Sequence, residues 1–341
     1  MGIFVSGFLE NIGLKKSGAY FLVSAIALLG LFAADLVLGS ASLSVRDLFT
    51  TDLGRDILVN FRIPKAVVAL VCGVALAVCG LQMQTLFRNP LADPYILGVS
   101  SGAGLGVALY IMGMSLFGGG GGSLLNTLGS AGAALAGAAL VTVLIMYVSN
   151  RVKGSLTLLI FGVMIGFIAS ALVNLLQYTS NAHSLKAYVL WTMGSFAALD
   201  GVQISILCGL VVLGLVLAIM NIKDLNAILP GEAYAASIGL DIKKIRMRIL
   251  VSTTLLSGAV TAFCGPIGFL GIAVPHIARF IFRNADHRVL LPASALLGGC
   301  LTLLADTLSE LPGTGGVIPI NTVAALLGIP VILVILFRKG R

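Results

Sequence analysis

The chain has 341 residues, of which 58% are hydrophobic and only 10% charged, and its mean hydropathy is +1.09. Soluble domains carry about 25% charged residues, so the composition excludes a soluble enzyme and fits an all-α polytopic membrane protein, one domain (1–341) of stacked spans. The formal net charge of +8 comes without a basic block or an aromatic platform, which excludes nucleic acid as a partner; basic loops gathered on one side of a bilayer account for it.

A span plus its loop divides this length into about nine to eleven helices, and the apolar runs read as ten. Span 1 covers about Tyr20–Gly39. The apolar run after Lys15 and Lys16 is too long for an ordinary signal peptide, so it reads as retained, with its N-terminus inside. Span 2 covers Ile63–Thr85, with Pro64 where a helix begins and its missing N–H costs nothing. Span 2 ends in Gln82, Gln84, Arg88 and Asn89. Pro90 and Pro94 then bracket Leu91-Ala92-Asp93, a stiff polar turn in which Arg88 and Asp93 are able to pair. Span 3 covers Ile96–Met114, and Gly118–Gly122 reads as a flexible loop without chemistry. Span 4 is about Leu128–Val148 and span 5 Leu156–Leu176. A polar segment, Tyr178–Lys186, precedes a short surface helix over Ala187–Leu199 in which Trp191 is an interfacial anchor. Span 6 is Val202–Met220, span 7 about Ile249–Cys264, and a short span 8 follows Gly271. Span 9 is Val289–Leu308 and span 10 Val317–Phe337.

Ten spans put both termini on one side. Sixteen of the 21 Lys and Arg residues then fall on that side, against Arg46, Arg55, Arg62, Lys65 and Lys186 on the other. By the positive-inside rule the terminal side is cytoplasmic. Gly102-x-x-x-Gly106 and Gly162-x-x-x-Gly166 are read as close helix contacts. Cys72, Cys79, Cys208, Cys264 and Cys300 lie in apolar runs without metal spacing, so they are small packing residues and no metal site is expected.

The longest cytoplasmic loop, Asp224–Lys244, carries Pro230 and Gly231, then Glu232 at a helix start where its charge suits the positive helix end. Ala233, Ala235 and Ala236 give that helix a smooth surface and Gly239 closes it. Such a helix cannot bury itself alone and calls for a partner groove. The chain has no G-x-x-x-x-G-K-[ST], so it cannot itself cradle ATP phosphates. Gly265–Gly271 interrupts the membrane region, and non-helical backbone at that depth is buried in protein or lines a cavity. Arg279 and Arg283 end the short helix beyond it, His276 beside Pro275 reads as structural, and His183 and His287 read as loop residues. Gly98-Val99-Ser100-Ser101-Gly102 matches the G-x-S-x-G of serine hydrolases, so an intramembrane serine protease using His276 is one alternative, although the motif enters a hydrophobic helix and not a strand–turn–helix. Asp306 and Glu310, near the outer end of span 9, raise a second alternative, a proton-coupled secondary transporter. No charged residue in the middle of spans 1 to 7 supplies a relay.

Several of these stretches resemble one family. Arg62-x-Pro64-Lys65, Gly80-x-x-x-Gln84, Arg88-Asn89-Pro90-Leu91-Ala92-x-Pro94, Leu97–Ala103, Gly265–Arg279 and Asp306–Pro330 are similar to the FecCD (BtuC-like) permeases of ABC importers. The resemblance implies the type II importer permease fold. It implies uptake of an iron–siderophore or haem complex, with cobalamin as the alternative, from periplasm to cytoplasm across a bacterial inner membrane. It implies a second permease copy, two ATPase subunits that hold ATP and Mg, and a periplasmic substrate-binding protein; the chain itself binds no cofactor and has no catalytic residue. Gly231, Glu232, Ala233, Ala236 and Gly239 then form the coupling helix that docks on the ATPase. Arg62 and Lys65 would meet acidic residues of the binding protein, and Asn89, Leu91 and Ser155 are the candidates for the cytoplasmic gate. The family tends to carry a base four residues after the Asp of span 9; Glu310 stands there in this chain.

Overall fold

The computed structural model describes residues 18–39, 45–113, 123–149, 151–152, 155–197, 199–310 and 316–339. The helices are α1 (Gly18–Val37), α2 (Val45–Thr50), α3 (Asp52–Ile57), α4 (Ile63–Leu86), α5 (Val99–Ala108), α6 (Ser123–Ser149), α7 (Ser155–Thr179), α8 (Ala182–Thr192), α9 (Gly201–Met220), α10 (Ile222–Ile228), α11 (Glu232–Ser237), α12 (Ile242–Cys264), α13 (Leu270–Phe282), α14 (His287–Ser309) and α15 (Ile320–Lys339). Among the described residues seven helical runs are long and apolar enough to cross a bilayer, and three shorter ones, Val99–Gly113, Leu270–Phe282 and Ile320–Val334, complete the ten apolar segments read from the sequence. The glycine loop at 118–122, Lys15, Lys16, Lys153 and Arg341 lie outside the described residues.

Helix α4 is the axis of the bundle. It is buried almost throughout and packs on α14, α13, α12 and α9. Small residues permit this: a side chain on Gly73 would run into the Gly298 carbonyl of α14, and one on Gly80 into the Gly271 carbonyl of α13. Without a hydrophobic driving force between helices in lipid, such close backbone approach is what packs a span. Gly102 and Gly106 of α5 meet Gly137 and Ala133 of α6 in the same way, and Gly162 of α7 meets Leu97. By contrast α1, α7 and α9 turn Leu22, Ile26, Leu29, Met164, Phe167, Ile168, Val212 and Val216 outward. An apolar exterior of this extent needs lipid or another chain against it.

Three expectations are corrected. Pro64 stands in the first turn of α4 as expected, but no helix starts afresh there, because one helical run continues from Asp52 to Leu86. A π-turn over Leu58–Arg62, closed by the Ile63 N–H on the Leu58 carbonyl, widens the backbone just before Pro64 and accommodates the missing donor. The short helix after span 5 starts at Ala182, capped by the Asn181 Oδ1 on Ser184 N at 2.8 Å, and ends at Thr192. It folds back into the protein: Tyr188 is buried and stacks on Trp191, and both lie beside Gly104 of α5. Trp191 is therefore a packing residue and not an interfacial anchor; an amphipathic aromatic suits either place. Finally, His183 and His287 are helical, in α8 and α14, and His287 is only 1% exposed.

Candidate functional site

The stiff turn between α4 and α5 is built as a plug of internal hydrogen bonds. Arg88 takes a left-handed φ of 47°, and Asn89 Oδ1 accepts the Leu91 N–H at 3.0 Å, an Asx turn. Asp93 accepts the Tyr95 N–H at 3.0 Å and is buried, whereas Arg88 is exposed, so the two do not pair. His276 Nε2 donates to the Pro90 carbonyl at 2.8 Å, which ties the turn to α13 and gives this histidine the structural part expected of it. Gln84 joins the same pair of elements. Its amide Nε2 donates to the Ile272 carbonyl at 3.2 Å, and its Oε1 accepts from Arg279 at 2.5 Å. Arg279 therefore serves α4 directly. Asn89 and Leu91 are together in this turn. Ser155 opens α7, and its side chain lies outside the described residues.

Gln84, at the end of α4, adjoins a buried polar chain that sequence reasoning missed. The Thr85 hydroxyl and His287 Nε2 are 2.8 Å apart, and His287 Nδ1 is 2.7 Å from Asn226 Oδ1. Asn226 Nδ2 donates to Asp286 Oδ1 at 2.6 Å, which leaves Oδ1 to accept from His287. The chain pins α10, just ahead of α11, to the C-terminal end of α4 and the N-terminal end of α14.

Helix α11 stands where the sequence places it. Gly231, at φ 137°, precedes it, and a side chain there would meet Arg88 Nη1 at 3.0 Å, so the loop touches the turn. The helix ends in a Schellman motif: Leu240 N–H donates to the Ala235 carbonyl at 3.1 Å and Gly239 N–H to the Ala236 carbonyl at 3.0 Å, with Gly239 at φ 87°. Ala235 is buried, while Ala233, Tyr234, Ala236 and Ile238 are exposed. Glu232 faces inward and forms a two-pronged ion pair with Arg246 of α12, itself 5% exposed, with Nε at 2.8 Å from Oε1. Asp224 and Arg248 add a second tie at 2.9 Å. Asp241, capping α12, accepts from Lys243 and Lys244 N–H, which holds its carboxyl below the usual range.

The break between α12 and α13 has its donors satisfied from elsewhere. Gly265 takes φ 77° and Phe269 φ 68°. Tyr95 Oη accepts the Ile267 N–H, and Asn321 Oδ1 accepts the Gly268 N–H at 3.1 Å. Irregular backbone at membrane depth is thus buried in protein, as required.

At the other end of α4, Lys65 is 9% exposed, with Nζ 3.2 Å from Asp306 Oδ2 and 2.8 Å from Glu310 Oε2. Asp35 of α1, which sequence reasoning passed over, is 3% exposed and accepts from the Thr307 hydroxyl at 3.1 Å. Arg62 donates to the Leu36 and Val37 carbonyls at 2.8 and 2.6 Å. Both cations named for docking are therefore engaged within the chain, and Glu310 has a local task, pairing Lys65. The hydrolase-like Ser100 bonds the Tyr95 hydroxyl and lies in a helix, without the strand that a nucleophile elbow needs.

A buried multi-helix scaffold with a broken span, a polar turn and an exposed small-residue helix fits a multi-pass membrane permease. The FecCD transport family profile matches residues 26–338, and the chain belongs to that family. It is 36% identical over 324 residues to the hemin transport system permease protein HmuU of Yersinia pestis, covering 94% of this chain and 95% of that one. It is 36% identical over 321 residues to the vitamin B12 import system permease protein BtuC of Escherichia coli (strain SE11), covering 94% of each. Among solved structures, the inward-facing conformation of a metal-chelate type ABC transporter superimposes with a TM-score of 0.83 at 28% identity, covering 94% of this chain and 99% of that one. The relatives are permease subunits, and this family implies ATPase and substrate-binding partners.

Proposed function

We propose that this chain is the permease subunit of an ATP-driven importer that carries a metal chelate, an iron–siderophore, haem or cobalamin, from periplasm to cytoplasm. The observation that carries the reading is α11: a short helix, closed at its C-terminus by a Schellman motif and pinned by Glu232–Arg246, that leaves Ala233, Ala236 and Ile238 uncovered. That surface, with no phosphate-binding loop in the sequence, suits a chain moved by a separate ATPase. Two permease copies would enclose the pathway, two ATPase subunits would supply ATP and Mg chemistry, and a binding protein would dock on the face near Arg62. The carbonyl-bound Arg62 and the paired Lys65 would shape that face, and Asn89, Leu91 and Ser155 would close the inner end.

Two outcomes are expected. The purified chain alone hydrolyses no ATP, and hydrolysis appears when an ABC ATPase subunit is added; robust hydrolysis by the chain alone would sink the reading. In intact cells an impermeant thiol reagent labels a cysteine placed at His183, which is exposed at the start of α8, and spares one at Ser237 of α11. The reverse pattern would overturn the orientation with cytoplasmic termini.

A further inference from the structure

A cavity of about 270 Å³ opens between α5, α7, α8 and the backbone break, lined by Ser101, Ser170, Asn174, Tyr188, Trp191 and Thr192 among others. Asn174 and Ser170 lie five and nine residues before the end of α7 at Thr179. At 1.5 Å per residue this puts the cavity about 7 to 14 Å below the outer end of that span. Both side chains are exposed on the single chain. An exposed amide at this depth is costly against lipid, so this face of α7 borders a polar cavity or another chain. Among the described residues the side chains of Ser101, Ser170 and Asn174 have no hydrogen-bond partner, and the Trp191 Nε1 is buried without one. Unlike Gln84 or Asn226, these donors and acceptors are left unused. Among the described residues no Lys, Arg, His, Asp or Glu lines the cavity.

We propose that Ser101, Ser170 and Asn174, beside the Trp191 ring, form a hydrogen-bonding subsite for a neutral, amide-bearing arm of the transported chelate. The volume suits one substituent and not a whole chelate. Hydroxyl and carboxamide groups match neutral amides or hydroxamates, which both donate and accept. A carboxylate arm brought here would lose water without meeting a cation, so an anionic periphery is disfavoured. The subsite rests on the importer reading and narrows its cargo to chelates with a neutral polar rim.

Trp191 is the only tryptophan in the chain, so its fluorescence reads the cavity directly. The chain in nanodiscs is titrated with cyanocobalamin and with ferrichrome, whose rims are neutral, and with haemin, which carries two carboxylates. A neutral chelate should quench saturably. Asn174→Leu with Ser170→Ala should raise its apparent Kd at least about fivefold, the loss of one or two hydrogen bonds. Asn174→Lys should shift preference toward haemin, and that variant keeps the test open if the double variant misfolds. Saturable quenching by haemin alone, or curves unchanged by every variant, would overturn the subsite. Chelate uptake by cells separates the two levels. Uptake that persists while the titrations fail removes the subsite alone, and uptake of no chelate removes the importer reading and the subsite with it.

Discussion

Lys65→Met should destabilise the bundle by about 3–5 kcal/mol, the cost of leaving buried charge without its counter-ion. The Lys65 ammonium faces Asp306 and Glu310 within ion-pair distance, and Asp35 stands in the same cluster. Asp35 and Asp306 are 3% and 4% exposed, so water cannot replace the lost cation. Met keeps the length and the apolar stem of Lys, and the loss is therefore one of charge and not of volume. The three carboxylates lie on α1, on α14 and just past the end of α14, and the cation on α4; without it those helix ends repel one another. Adding Asp306→Asn and Glu310→Gln to Lys65→Met should recover most of the stability, because a neutral cluster needs no counter-ion. Glu310→Gln alone should be mild, since Glu310 is the most exposed acid of the three and Lys65 keeps Asp306. The midpoint of unfolding in detergent checks all four proteins. An unchanged midpoint for Lys65→Met would show that the cluster does not clamp the helices.

Ala236→Trp should abolish coupling while the permease stays folded. Ala236 is exposed on α11, so a ring there displaces only water in the isolated chain. Against a close-fitting groove the same ring overpacks, at about 1–3 kcal/mol. That is about 5- to 150-fold weaker ATPase binding. Reversing Glu232 is a different experiment. The sequence suggested that Glu232 touches the partner, but its carboxylate holds Arg246. Glu232→Arg would set two guanidinium groups together and tilt α11 on α12. Pull-down of the ATPase by the wild-type and Ala236→Trp chains, at equal membrane levels, decides the point. Unchanged binding would mean that another segment docks.

What the sequence made legible follows from range. The turn at Asn89-Pro90, the break at Gly265-Pro266 and the Schellman end at Gly239 are local: a proline or glycine at a fixed offset dictates them, and all three are present. The pairs that position the site are not local. Glu232 meets Arg246 across the 231–242 loop, His287 meets Asn226 and Thr85 from other helices, and Lys65 meets Asp306 from the far end of the chain. Nothing in the run around Asp35 distinguishes a buried acid from one at a span end. Trp191 was misplaced because an aromatic with a polar edge suits a headgroup layer and a protein interior equally. The helical run ahead of Pro64 was missed because a π-turn leaves no residue signature in the sequence.

The central claim is that this chain conducts a metal chelate inward when a separate ATPase hydrolyses ATP. The direct measurement is uptake of a radiolabelled chelate into proteoliposomes that hold the chain with its ATPase, with binding protein outside and ATP inside. The account predicts accumulation that requires ATP and the binding protein and is lost with Ala236→Trp. Accumulation driven by a proton gradient without ATP would contradict it and return Asp306 to the role of a proton-coupling acid.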